Sequence, residues 1–261
     1  MNAMNKQIAI VTGANKGFGK EFAKLLAAKP EISEIWAIAR DHKKLEQTVQ
    51  ELGEKIRTFS MDLTDRENIK HIATELEKRG ATVKYLVNNA GFAKFCSYGD
   101  ISMEESLNMI DLNISAVVAL GLVCIPYMGK GCHIINISSQ ASFFPLPYQN
   151  IYSSTKTFIR NYTRALNVEL KEAGISATAV CPGWMKTDLF DRAVIGAKKG
   201  TRNFYGMVLP DAVARKALSD AEKGKDISVY GLYVKATHVL SKIIPQRWVM
   251  KIWLKQQGIQ R

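Results

Sequence analysis

Between residues 6 and 181 the chain alternates short apolar runs with amphipathic stretches of helical length, and no other feature constrains the fold as tightly. The apolar runs cover 6–12, 34–39, 55–60, 84–88, 131–138 and 175–181. Continuous apolar runs, rather than strict alternation, mark strands buried on both faces. The intervening stretches 17–28, 41–52, 65–79, 103–127 and 149–173 carry helical periodicity, and Asp41 stands where a helix N-cap belongs. Strands joined by helices pair in parallel, because a crossover needs that length. The pattern predicts an α/β chain: a single domain over 1–261 with a doubly wound parallel sheet flanked by helices on both faces.

The rhythm breaks over 184–209, where apolar residues mix with Gly196, Gly200 and Gly206. Ligands of open parallel sheets lie beyond the carboxyl ends of the strands. An irregular segment directly after the sixth strand is placed to cover that crevice as a lid.

With 261 residues, 47% hydrophobic, the chain can bury a full core. Cys96, Cys124, Cys132 and Cys181 are scattered, which fits buried thiols in a reducing compartment. The four histidines show no zinc-ligand spacing, so no metal is expected. The first residues lack the apolar core of a signal peptide, and no apolar stretch is read as reaching the ~20 residues of a membrane span. A soluble, cytoplasmic protein is expected. The net charge is +12, yet no nucleic-acid motif accompanies it, so nucleic acid is not an expected partner.

The first strand runs into Thr12-Gly13-Ala14-Asn15-Lys16-Gly17-Phe18-Gly19. Such glycines let backbone approach a pyrophosphate, and the helix that follows offers free N–H groups to an anion. Asp62 follows the third strand, Asn88-Asn89-Ala90-Gly91 the fourth, and Ser138-Ser139 the fifth. Asn113 lies in the fourth helix, Tyr152-x-x-x-Lys156 in the fifth, and Pro182-Gly183 and Thr187 come after the sixth strand. In this order and spacing, across roughly residues 6–190, the set resembles the short-chain dehydrogenase/reductase family. The resemblance implies a Rossmann-like fold and a nicotinamide cofactor. It implies cofactor contacts at Gly13, Asn15, Lys16, Gly17, Phe18, Gly19, Arg40, Asp62, Leu63, Asn89, Ala90, Gly91, Tyr152, Lys156, Pro182, Gly183 and Thr187.

Charge argues for which cofactor. An NAD site usually ends its second strand on an acid that holds the ribose 2′-hydroxyl. Here the strand ends Ile38-Ala39, Arg40 follows, and Lys16 sits in the glycine loop. Two cations beside a missing acid favour NADP(H), whose extra phosphate they can grip. Asp41 dissents, but helix capping explains it more simply.

Tyr152 and Lys156 are one helical turn apart on one face. A neighbouring ammonium is expected to lower the tyrosine's pKa from about 10 and fit it for proton transfer. Ser139 precedes Tyr152 by thirteen positions, as the family's serine does, so it rather than Ser138 is the expected partner. Ser138 reads as a strand-end residue with a backbone partner. The resemblance implies that Asn113 organises a water relaying protons to Lys156; read alone, it is a backbone hydrogen-bonder. The implied activity is an NADP(H)-dependent oxidation of alcohols or reduction of carbonyls. An NADP(H)-binding sensor without catalysis is the rival, and the intact set Asn113, Ser139, Tyr152 and Lys156 argues against it. A membrane-surface protein on the same fold is the other.

Near 241–257 a tail helix is expected, with Arg247, Lys251 and Lys255 in one row and three apolar rows beside it. It has three readings: packing on the substrate mouth, lid or a subunit interface; lying in a membrane interface; or completing the core. Phe143, Phe144, Trp184, Leu189, Phe190, Phe204, Tyr205 and Met207 are the apolar lid candidates, and they favour a hydrophobic substrate of hydroxysteroid or ketoacyl type. A homodimer or homotetramer is expected.

Overall fold

Seven parallel strands form one sheet in the order β3-β2-β1-β4-β5-β6-β7. The structure is a computed structural model, and it describes residues 6–187, 189, 193–196, 200, 201 and 203–259. The strands are β1 (Gln7–Thr12), β2 (Glu34–Ala39), β3 (Ile56–Ser60), β4 (Thr82–Asn88), β5 (His133–Ile137), β6 (Ser176–Val180) and β7 (Ile227–Ser228). The order reverses between β1 and β4, so a crevice opens there at the carboxyl ends.

Side-chain alternation along each strand feeds two separate cores. Ala9 and Val11 point to one face, where α1 (Gly17–Ala27), α2 (His42–Leu52) and α7 (Pro210–Glu222) pack. Ile8 and Ile10 point to the other, against α3 (Arg66–Arg79), α5 (Ala116–Cys124) and α6 (Asn150–Glu169). Each fully buried aliphatic side chain contributes about 1.5–3 kcal/mol, so both faces must be covered. This is the Rossmann-like architecture that the apolar runs predicted. Asp41 caps α2 by accepting from the Lys44 amide at 3.1 Å.

The long apolar helix departs from expectation twice. Met103–Tyr127 is long and apolar enough, by length and composition, to cross a bilayer, where the sequence reading found no such stretch. Here its buried side packs on the sheet through Ala116, Leu120 and Cys124. It is also not one α-helix. α4 (Met103–Ile110) passes into a π-helical turn, Asp111–Ser115, before α5 begins. A π turn inserts one residue and rotates the face that follows, and Asn113 sits inside it.

Between β6 and α7, Met185 pairs with Val208 in an isolated parallel bridge. Two helices, α8 (Leu232–Leu240) and α9 (Gln246–Gln256), then follow one another across a five-residue link.

Candidate active site

A cavity of about 720 Å³ lies across the carboxyl ends of the strands. Its floor begins at the turn after β1. Gly13 and Gly17 have φ of +65° and +51°, a region where L side chains are strained. Gly19 is required for space: a Cβ there would stand 2.2 Å from the Gly13 carbonyl oxygen. Asn89 fixes this loop, donating its side-chain amide to the Thr12 carbonyl at 2.9 Å. The Thr12 hydroxyl in turn accepts from the Asn89 and Ala90 amides, each at 2.9 Å. α1 has no acidic residue in its first turn and no side-chain cap, so its N-terminus presents N–H groups to the cavity.

The far end of the cavity carries charge. Arg40 lies 3.4 Å from Asp62 as an exposed ion pair. Burial raises the Asp62 pKa, but hydrogen bonds from Thr64 and the Arg40 charge outweigh it and hold the carboxyl below its ordinary range. Lys16, Asp41 and Lys44 line the same end. Lys44 was not singled out from the sequence; its signal is its place in the first turn of a helix opening directly after Arg40. Leu63 lies beside Asp62, and Thr187 faces Gly17 across the opening, 3.6 Å from where its Cβ would stand.

Tyr152 and Lys156 project from one face of α6 and both are buried. The Lys156 ammonium donates to the Ile137 carbonyl at 2.8 Å and lies 5.8 Å from the centre of the Tyr152 ring. Burial pushes its pKa down to about 8. The expected effect on Tyr152 does not occur. Burial raises the phenol's pKa, and the hydrogen bond with Ser139 opposes that only in part. Burial disfavours the charged phenolate, which is why the phenol's pKa moves up. Ser139 also accepts from the Ala141 amide at 3.1 Å, whereas Ser138 donates to the Lys156 carbonyl at 2.7 Å.

Asn113 and Gly19 do not line the cavity. Asn113 is spent on backbone: its oxygen accepts from the Phe92 amide at 3.1 Å, and its nitrogen donates to the Phe92 carbonyl at 3.0 Å and the Thr155 hydroxyl at 3.1 Å. Thr155 then donates to the Tyr152 carbonyl at 2.8 Å. A buried chain of contacts thus runs from the π turn to the backbone of Tyr152. Thr155 had no sequence signal beyond standing between Tyr152 and Lys156. The remaining predicted residues, Gly13, Asn15, Gly17, Phe18, Asn89, Ala90, Gly91, Pro182 and Gly183 among them, share the one cavity.

The apolar lid candidates divide. Phe144, Trp184, Leu189 and Tyr205 line the cavity. Phe143 instead packs behind it with Cys181 and Val234, and Phe204 packs on Phe95 and Trp184. Met207 is exposed to solvent outside the cavity, and Phe190 lies outside the described residues. One side of the tail helix packs at the cavity. Val249, Ile252 and Trp253 line the cavity, and the Trp253 indole donates to the Pro147 carbonyl at 3.0 Å. Gln257 accepts from the Asn203 amide at 3.0 Å, joining the tail to the segment after β6.

Two hydroxyls, one buried ammonium, a glycine cradle and a cationic end therefore meet in a single cavity. The model of the family described as short chain dehydrogenase matches residues 7–196. An NADP-dependent 3-hydroxy acid dehydrogenase of Salmonella typhi is 32% identical over 180 residues, covering 67% of this chain and 71% of the relative. A short chain dehydrogenase/reductase from Burkholderia phymatum in complex with NAD has a TM-score of 0.78 at 21% identity, covering 92% of this chain and 94% of that one. A serine dehydrogenase complexed with NADP+ gives 0.71 at 27%, covering 81% and 88%. The chain belongs to the short chain dehydrogenase family and is an oxidoreductase acting on alcohol or carbonyl groups.

Proposed function

We propose that this oxidoreductase uses NADP(H) and reduces a carbonyl of a hydrophobic substrate, of hydroxysteroid or ketoacyl type, in the cytoplasm. The meeting of Ser139, Tyr152 and buried Lys156 on one wall of the cavity carries the reading. The glycine turn and the α1 N-terminus fit a pyrophosphate, because Gly13 and Gly17 line the cavity and Gly19 lets α1 start against the Gly13 carbonyl. Asp62 and Leu63 fit the adenine end, and Asn89, Ala90 and Gly91 the middle. Pro182, Gly183 and Thr187 fit the nicotinamide end. Lys16, Arg40 and Lys44 fit a 2′-phosphate. Bound there, the nicotinamide supplies the hydride that no side chain of this protein can.

The protein's own part is to position one oxygen and manage one proton. The Ser139 hydroxyl donates to the substrate oxygen and stabilises its developing charge. The Tyr152 phenol, kept protonated by its burial, donates the proton to that oxygen. Lys156, 5.8 Å from the centre of the Tyr152 ring and with a pKa pushed down to about 8, is the group we assign to returning a proton toward Tyr152. Asn113 holds Phe92 and Thr155 so that this geometry persists. Phe92, Phe144, Leu146, Trp184 and Trp253 line the cavity and support an apolar substrate. Assembly into a dimer or tetramer belongs to the same reading, and sedimentation velocity measures it.

The test is a panel of carbonyls followed at the nicotinamide absorbance band with both coenzymes. Tyr152→Phe should lower kcat by about 10²–10⁴-fold, and Arg40→Asp should shift preference toward NADH. Wild-type turnover in Tyr152→Phe overturns the mechanism; equal efficiency with NADH overturns the coenzyme assignment.

A further inference from the structure

The consecutive helices α8 and α9 carry an unusual set of exposed side chains. One side of it lines the cavity through Tyr233, Leu240, Val249 and Ile252. Outside the cavity, Leu232, Val239, Ile243 and Trp248 are 86%, 54%, 74% and 63% exposed. Leu240 and Ile252 belong to both surfaces, each lining the cavity while remaining about half exposed. Single exposed apolar residues are ordinary, but a run of them on two adjoining helices is not. Charge sets this run apart from the other exposed apolar side chains. No Asp or Glu occurs anywhere from residue 227 to 261. Lys235, Lys242, Arg247, Lys251 and Lys255 are exposed and, among the described residues, pair with no carboxylate. On α4, by contrast, exposed Met103 and Leu107 stand beside Glu104 and Glu105.

We infer that the α8–α9 segment docks on the surface of an anionic phospholipid bilayer. Trp248 and the aliphatic side chains enter the headgroup boundary, and the five cations meet the lipid phosphates and carboxylates. The cytoplasmic leaflet of cell membranes supplies that negative charge. A second copy of the chain is the poorer occupant. A two-fold contact through this face sets its cations against the same cations, with no acid in residues 227–261 to answer them. Docking carries the cavity's mouth to the lipid boundary, through Leu240 and Ile252. Entry of a lipophilic carbonyl from the bilayer follows from the reductase reading; the docking itself does not depend on it.

Co-sedimentation of the full chain with extruded vesicles tests the docking without any activity assay. Protein should pellet with equal parts phosphatidylcholine and phosphatidylserine at low salt, and stay in solution with phosphatidylcholine alone. Lys251→Gln/Lys255→Gln should weaken the partition coefficient about 25-fold, near fivefold per cation. Ile243→Glu/Trp248→Glu should abolish binding while leaving the melting temperature unchanged, since both side chains are exposed. The inference falls if wild type ignores the anionic vesicles, or if the glutamate pair binds as wild type does. It also falls if that pair dissociates an oligomer in sedimentation velocity while wild type binds no vesicle, which makes the face a contact between copies.

Discussion

A buried ammonium is expensive, and Lys156 carries one against a single carbonyl. Below about pH 8 the lysine is charged in both folded and unfolded chains, and the folded state bears the desolvation. Between about 8 and the ordinary 10.5 the unfolded chain keeps a proton that the folded chain has released. Stability from this group therefore rises with pH across that window. Its cost at neutral pH is on the order of 2–3 kcal/mol. Lys156→Met removes that cost but orphans the Ile137 carbonyl, at about 1–2 kcal/mol. The variant should thus be more stable by ~1 kcal/mol at pH 7 and lose the advantage near pH 10, while catalysis is lost. Urea titrations at the two pH values measure it; a variant less stable at pH 7 would mean that the carbonyl bond outweighs the desolvation. The positions of Tyr152 and Lys156 were legible, because i, i+4 spacing on a helix is geometry. The direction of the Tyr152 shift was not, because burial depends on residues such as Phe95, whose ring packs edge-on against Tyr152 from distant sequence.

Elements were legible where their periodicity was long. β2 begins and ends where its apolar run does, and α2 begins at its Asp41 cap. β7 escaped notice because two residues show no period; it is held by Ser228 donating to buried Asp220 at 2.8 Å. The amphipathic rows of α9 were visible, but not which surface they would cover. That surface includes the loop leading into α6, where Tyr148 adopts φ of +64°. A left-handed conformation costs a bulky residue roughly 1–2 kcal/mol and persists only under restraint. Trp253 supplies restraint by its bond to Pro147, one residue away. Trp253→Phe keeps the ring and deletes the N–H, which should cost about 1 kcal/mol, or 2–4 °C in Tm. Limited proteolysis of the 189–209 segment should quicken as well, because α9 and that segment are joined through Asn203 and Gln257. Unchanged melting and unchanged cleavage would show that the indole bond restrains neither loop.

At the scale of the whole molecule, the candidate coenzyme cavity spans the reversal in strand order. Its lining draws on the ends of β1, β2, β4, β5 and β6 together with the α9 tail. A ligand filling it touches both halves of the sheet, so its binding energy adds to the stability of the entire fold rather than of one loop. At about 100 times Kd a coenzyme contributes ~2.7 kcal/mol, which for a chain of this size raises Tm by about 5–10 °C. The cationic end, with Lys16, Arg40 and Lys44, makes the size of that rise depend on the 2′-phosphate. NADP+ should therefore shift Tm by several degrees at a concentration where NAD+ shifts it by about 1 °C or less, given a ~100-fold preference. Added salt should erode the NADP+ shift faster than the NAD+ shift, since exposed charge pairs are screened over about 10 Å at 0.1 M. In Arg40→Asp the order of the two coenzymes should reverse while the melting temperature without coenzyme stays near wild type, because the Arg40–Asp62 pair is exposed and contributes little. Equal shifts from both coenzymes in wild type would remove the phosphate from the reading of these cations and leave them as ordinary surface charge.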